Sequence, residues 1–189
     1  MTKNTNILKY VALTTLLIAL AVGWRVVNFN YGIAPNLEII TAVSVLAAII
    51  LGFRAAVIVP IVAMMISDLM IGNTSIFIYT WGSFALIGIS AMLLRKLNNK
   101  PKVQILSSIG FAAASSFIFF IITNFGVWAQ GWYPATWAGL TNCYLMAIPF
   151  YRTMLIGNLI LVPATVGAWQ LVKYYQTSKS LVVDTLVRK

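Results

Sequence analysis

The sequence predicts an all-α integral membrane protein with six transmembrane helices. Three observations predict it. Hydrophobic residues make up 61% of the chain, with a mean hydropathy of +0.92. Charged residues make up only 8%, against about 25% in a soluble domain. Six separate apolar stretches have spanning length, so residues 1–189 read as a single transmembrane domain.

Span 1 covers about Tyr10–Val27. Lys3 and Lys9 precede it, and Ala19-Leu20-Ala21 has the form of a signal-peptidase site. The apolar run continues to Val27, so a retained span is expected. A polar loop, Asn28 to Asn36, leads to span 2 at about Leu37–Leu51. Gly52-Phe53-Arg54 turns into span 3, about Ala55–Ile71. Gly72-Asn73-Thr74-Ser75 turns into span 4, about Ile76–Leu94, and fits a glycosylation sequon. The basic loop Arg95 to Lys102 precedes span 5, about Val103–Ile122. A long aromatic segment, 123–149, leads to span 6, about Phe150–Val172, and a basic tail, 173–189. Spans 2 and 3 are short for a bilayer that takes about 20 residues, which points to shielding by neighbouring helices.

Positive charge orients this set. With both termini cytoplasmic, Lys3, Lys9, Arg54, Arg95, Lys96, Lys100, Lys102, Lys173, Lys179, Arg188 and Lys189 fall on one side. Arg25 and Arg152 lie towards the other. The formal charge of +10 therefore speaks to topology, and no nucleic-acid partner is expected.

The chain has only three acidic residues. Asp184 is in the polar tail, but Glu38 and Asp68 lie in or beside apolar stretches. A carboxylate at membrane depth costs about 2.5–3.5 kcal/mol on insertion scales, so it needs a partner or a function. Glu38 begins span 2 on the outer side. Asp68 lies about 21 Å of helix rise beyond Arg54, again in the outer half. Arg25, Glu38, Asp68 and Arg152 are thus expected at one depth on four helices. They either pair to fix the packing or line a polar cavity open to the outside, and both roles are compatible.

The aromatic segment carries no charge but contains Trp128, Trp132, Tyr133, Trp137 and Tyr144, interleaved with Asn124, Gln130 and Asn142. It is too long for a tight connector. Gly126, Gly131 and Pro134 are expected to break any helix across its first half, and Ala138–Ile148 to form a short helix dipping into the membrane. The segment reads either as an interfacial aromatic belt or as the lid or wall of a site for a small organic ligand. Asn28, Asn30, Tyr31 and Asn36 of the first loop offer uncharged hydrogen bonds, and Tyr79 and Trp81 stand near the outer start of span 4.

Several chemistries lack their residues. The chain has no histidine and one cysteine, Cys143, so His-based nucleophilic catalysis, the usual zinc sites and an internal disulfide are not expected. No P-loop, nucleophile elbow or dinucleotide glycine pattern occurs. Aspartyl proteolysis would need a second spanning aspartate. No catalytic residue, cofactor or metal is expected, and the protein reads as a non-enzyme. Ala19/Gly23, Gly110/Ala114 and Ala164/Ala168 form small-xxx-small pairs that let helices approach closely, with internal packing the expected use.

Four stretches carry a family resemblance: Pro35-Asn36-Leu37-Glu38 with its Ala-rich span; Pro60 through Ser67-Asp68-Leu69; Ser116 through Asn124-Phe125-Gly126-Val127-Trp128; and Tyr133-Pro134 through Gly139-Leu140, Cys143-Tyr144 and Ala147-Ile148-Pro149-Phe150. They resemble an uncharacterised bacterial six-span family grouped with the substrate-binding S components of energy-coupling-factor (ECF) vitamin transporters. The resemblance covers roughly residues 24–160. It implies a multi-pass subunit of the cell (cytoplasmic) membrane, in contact with lipid, that captures a small-molecule micronutrient from outside. It further implies that Ala19 and Gly23 on span 1 dock onto a transmembrane coupling subunit served by ATPase subunits. The substrate site expected on this reading comprises Arg25, Asn36, Glu38, Asp68, Tyr79, Trp81, Asn124, Trp128, Tyr144 and Arg152. There Arg25 and Arg152 would clamp a carboxylate or phosphate, and Glu38 and Asp68 would take an amine or ring N–H. A stand-alone ion- or proton-coupled carrier and a non-transporting scaffold are the competing readings.

Overall fold

A computed structural model describes the backbone of residues 3–72 and 75–187, with side chains over 6–72 and 75–178. Asn73 and Thr74 of the sequon, and the side chains of Lys3, Lys179, Asp184, Arg188 and Lys189, lie outside the described residues. The described chain is all-helical: α1 Lys3–Tyr31, α2 Ile40–Leu51, α3 Phe53–Ile71, α4 Phe77–Ser90, α5 Met92–Lys96, α6 Pro101–Ala129 and α7 Trp137–Val187. Five stretches are long and apolar enough to cross a membrane: Asn6–Tyr31, Phe53–Ile71, Phe77–Lys96 (α4 and α5 joined through Ala91), Pro101–Ala129 and Trp137–Ser178. This is a multi-pass membrane helical bundle.

α2 is the exception in length. Its 12 residues rise only about 18 Å, less than a bilayer. It escapes the mismatch by lying in the middle. Thr41, Val45, Ala47 and Ala48 are fully buried, and α1, α3, α4, α5 and α7 all pack against it. The shielding expected for span 2 is therefore present. α3 is longer than expected, because Phe53 and Arg54 already belong to it.

Small residues set the helix approaches. At the α3–α4 crossing, Gly88 faces the backbone carbonyl of Ala56 with no room for a Cβ. The core beside it is apolar, with Val59, Ala63, Met64, Phe84 and Ile87 buried. The three small-xxx-small pairs do something else. Ala19, Gly23, Gly110, Ala114, Ala164 and Ala168 are all exposed, and a Cβ on Gly23 or Gly110 would meet nothing. The expectation of internal packing is corrected: these pairs face outwards.

The ends of the bundle differ in chemistry. At the basic end, Arg95 Nη1 donates to the Ala48 and Ile49 carbonyls at 2.8 and 3.1 Å, satisfying the last turn of α2. Buried Gln104 donates to the Leu94 carbonyl at 2.8 Å and accepts from Gln170. Lys173 Nζ donates to the Asn98 carbonyl at 2.8 Å. α7 continues through the predicted basic tail as helix.

The aromatic segment needs the largest correction. α6 runs on through Gly126 to Ala129, and α7 starts at Trp137. Only 130–136 are non-helical, with the stop at Gly131 (φ +81°). Ala138–Ile148 are the first turns of α7, continuous through Pro149, and not a separate dipping helix. Gly126 does not break α6 because the Tyr79 ring packs directly over it. Tertiary contact outweighs glycine's helix penalty of about 1 kcal/mol.

Candidate functional site

The connection between α1 and α2 builds the site. α1 ends on Gly32 in the left-handed region (φ +57°), and Ile33 N–H reaches back to the Asn28 carbonyl at 3.3 Å. This is a Schellman stop. Ala34-Pro35-Asn36-Leu37 then form a turn closed by Leu37 N–H to the Ala34 carbonyl at 3.1 Å. Pro35 precedes Asn36 at φ +59°, the type II arrangement.

Non-helical backbone in a membrane protein must satisfy its own polar groups, and α1 supplies the partners. Asn28 Nδ2 donates to the Ala34 and Leu37 carbonyls, both at 2.9 Å, and its Oδ1 accepts from Ala34 N–H at 3.0 Å. Trp24 Nε1 donates to the Leu37 carbonyl at 2.8 Å. Leu37 in turn packs on α7, where a Cβ on Gly157 would come within 2.6 Å of its Cδ1.

Beneath this loop lies a cavity of about 470 Å³. α1, the loop, α3, α4, α6 and α7 all contribute to its lining. The wall is mostly apolar, including Trp24, Ile40, Met64, Phe84, Phe119 and Met154. Arg25, Asn36, Glu38 and Asp68 bring polarity. The cavity is at the end of the bundle where α1 and α3 finish and α2 and α4 begin, opposite Arg95 and Lys173.

Asp68 is buried and fully engaged. Arg25 forms an ion pair with its Oδ1 and donates to Ser67 Oγ at 2.6 Å. Trp81 Nε1 donates to Asp68 Oδ2 at 2.7 Å. α1, α3 and α4 are thereby tied together. Glu38 is held by the start of α2. Its Oε2 accepts from Thr41 N–H at 2.8 Å and its Oε1 from Thr41 Oγ1 at 2.5 Å, so the carboxylate occupies the positive end of that helix. Asn158 Nδ2, on α7, donates to Glu38 Oε1 at 2.9 Å and to Ser116 Oγ at 3.1 Å. Asn158 is fully buried, and its Oδ1 has no hydrogen-bond partner among the described residues.

Arg25, Asn36, Glu38 and Asp68 thus meet at one cavity, with Trp81 joined through Asp68. The remaining predicted site residues go elsewhere. Arg152 is exposed on α7 and does not line the cavity, so the expected four-charge set reduces to three. Tyr79 stacks edge-on against Phe125. Asn124 Nδ2 bonds the Phe120 carbonyl within its own helix at 2.7 Å. Trp128 Nε1 donates to the Pro134 carbonyl at 3.0 Å, and Tyr144 Oη to the Ile121 carbonyl at 2.8 Å. Trp128 and Tyr144 tie the α6–α7 hairpin together, and Tyr79 packs α4 against α6. The wall expected from segment 123–149 comes instead from the α1–α2 loop.

Sequence reasoning missed Asn158, Ser116, Thr41 and the bracket formed by Trp24 and Asn28. One signal was present, since Asn158 is an isolated amide in the apolar run from Thr153 to Val162, and a lone polar group in a span needs a partner.

The model of a family of unknown function, DUF6580, matches residues 5–181. No curated protein and no solved structure matches the chain. The chain belongs to the DUF6580 family.

Proposed function

We propose that this member of the family is the substrate-binding membrane subunit of an energy-coupling-factor-type uptake transporter. It captures a small, vitamin-like molecule from outside the cell and is no enzyme in its own right. The cavity of about 470 Å³ under the α1–α2 loop carries this reading. Its size suits a small organic ligand, and its mainly apolar wall with a few convergent polar groups is the usual make-up of such sites. A bundle whose charges served only to lock helices together would have no use for it.

The distribution of basic residues supports a cavity end that faces outwards under the positive-inside rule, with both termini in the cytoplasm. α2 counts as the sixth span, completed by its neighbours. The exposed Ala19/Gly23 face of α1 supports docking to a transmembrane coupling subunit that works with ATPase subunits. Both cavity carboxylates have each oxygen committed to protein donors, which favours bracing over proton traffic and so disfavours a self-driven carrier.

The test is mass spectrometry of small molecules that co-purify with the protein, followed by uptake of the identified compound in cells. A bound compound is expected, and Thr80→Trp, which fills the cavity from α4, should abolish its uptake. If nothing co-purifies, or if uptake of the identified compound is unchanged in the variant, the cavity is not a substrate site. Concentrative uptake by proteoliposomes containing this chain alone would overturn the subunit reading.

A further inference from the structure

The hydrogen bonds around the cavity indicate what it leaves for a ligand. Arg25 Nη1 is spent on Ser67 and Asp68. Its Nη2 and Nε carry three further N–H donors, and none has an acceptor among the described residues. The oxygens of Asp68 and Glu38 face Arg25, Trp81, Thr41 and Asn158. Thr80 Oγ1 donates to the Phe77 carbonyl at 3.0 Å, and the Asn28 amide is spent on the loop. The uncommitted side-chain N–H donors on a buried wall are therefore those of the Arg25 guanidinium; Thr80 Oγ1 has spent its proton and can only accept, and the Asn36 amide lines the cavity from the loop.

Charge narrows the choice further. With Arg152 outside, the lining holds one cation and two carboxyl groups, so no positive charge is in excess. An anionic ligand would enter a site with no spare positive charge. A cationic ligand would have to compete with donors already seated on each carboxylate. The volume equals roughly fifteen water molecules at about 30 Å³ each, room for one or two rings.

Resting on the binding function proposed above, we infer that the cavity takes an uncharged, mainly apolar molecule whose carbonyl oxygen accepts hydrogen bonds from the free edge of Arg25. The aromatic and aliphatic wall holds the body of the molecule. The donor edge selects the carbonyl, and a carboxylate analogue meets no spare positive charge, because Arg25 is already paired with Asp68.

Three probes that share one body separate these chemistries: 2-naphthamide, 2-naphthoate and 2-naphthylmethylammonium. Each is titrated into the full chain in lipid nanodiscs, with empty nanodiscs subtracting lipid partition. The amide should bind at least about tenfold more tightly than either charged probe, because each charged probe brings an uncompensated charge out of water into the cavity. Arg25→Lys keeps a cation for Asp68 but removes the planar donor edge, and should weaken amide binding about tenfold. Equal or tighter binding of naphthoate or the ammonium probe overturns the inference, as does an unchanged amide affinity in a folded Arg25→Lys. If that variant does not fold, the three-probe comparison on the unaltered chain decides alone. If no probe binds while a small molecule still co-purifies, the ligand class is wrong and the binding function stands. If no probe binds and nothing co-purifies, both fall.

Discussion

Asp68 and Arg25 are legible from sequence for the same reason. A charged group in an apolar run is costly unless paired, so each announces itself. Their pairing was not legible, because nothing in the chain says which faces of α1 and α3 meet. The same holds for Asn158, whose neutral amide draws little notice until Glu38 and Ser116 are seen against it. The bond between Arg25 and buried Asp68 predicts strong non-additivity. Arg25→Ala strands the Asp68 carboxylate with only the Trp81 indole, and loss of one partner of a buried pair costs about 3–5 kcal/mol. Removing both charges should cost clearly less than the sum of the single changes. Unfolding midpoints of Arg25→Ala, Asp68→Ala and the double variant, measured in one detergent, check this. Additive losses would mean the two groups do not depend on each other.

At the scale of elements, existence was easier to read than extent. Each of the six apolar runs falls in a helix, including the short α2, but only five of the described helical stretches are long enough to cross a membrane. The boundaries between 123 and 149 were misread, because Gly126 looks like a helix breaker in isolation. With the Tyr79 ring seated over it, the glycine is a contact point inside a continuous helix. Glycine thus has two roles here that sequence alone does not separate, and substitution does. Gly88 abuts the Ala56 carbonyl, whereas a Cβ on Gly110 meets nothing. Gly88→Ala should cost about 1–3 kcal/mol through overpacking at the α3–α4 crossing. Gly110→Ala should be neutral or stabilising by up to about 1 kcal/mol, the difference in helix propensity. Thermal unfolding of the two variants side by side tests this, and equal shifts would refute the assigned close approach.

Across the whole molecule, charge is sorted by end. Arg54, Arg95, Lys96, Lys100, Lys102 and Lys173 gather where α2 meets α3, α5 meets α6 and α7 emerges. The cavity, with Glu38 and Asp68 in its lining, sits at the other end. An excess of Lys and Arg in short loops favours a cytoplasmic position, which is the basis of the proposed outward-facing cavity, and capture from the medium requires that orientation. Asn30, beside the cavity, and Asn99, in the basic loop, are both exposed, and Cys143 is the one native cysteine. In a Cys143→Ala background, a membrane-impermeant maleimide applied to intact cells should label Asn30→Cys at once. Asn99→Cys should react only after the membrane is permeabilised. The reverse pattern would turn the cavity towards the cytoplasm. It would then remove capture from outside as a function, whatever the cavity binds.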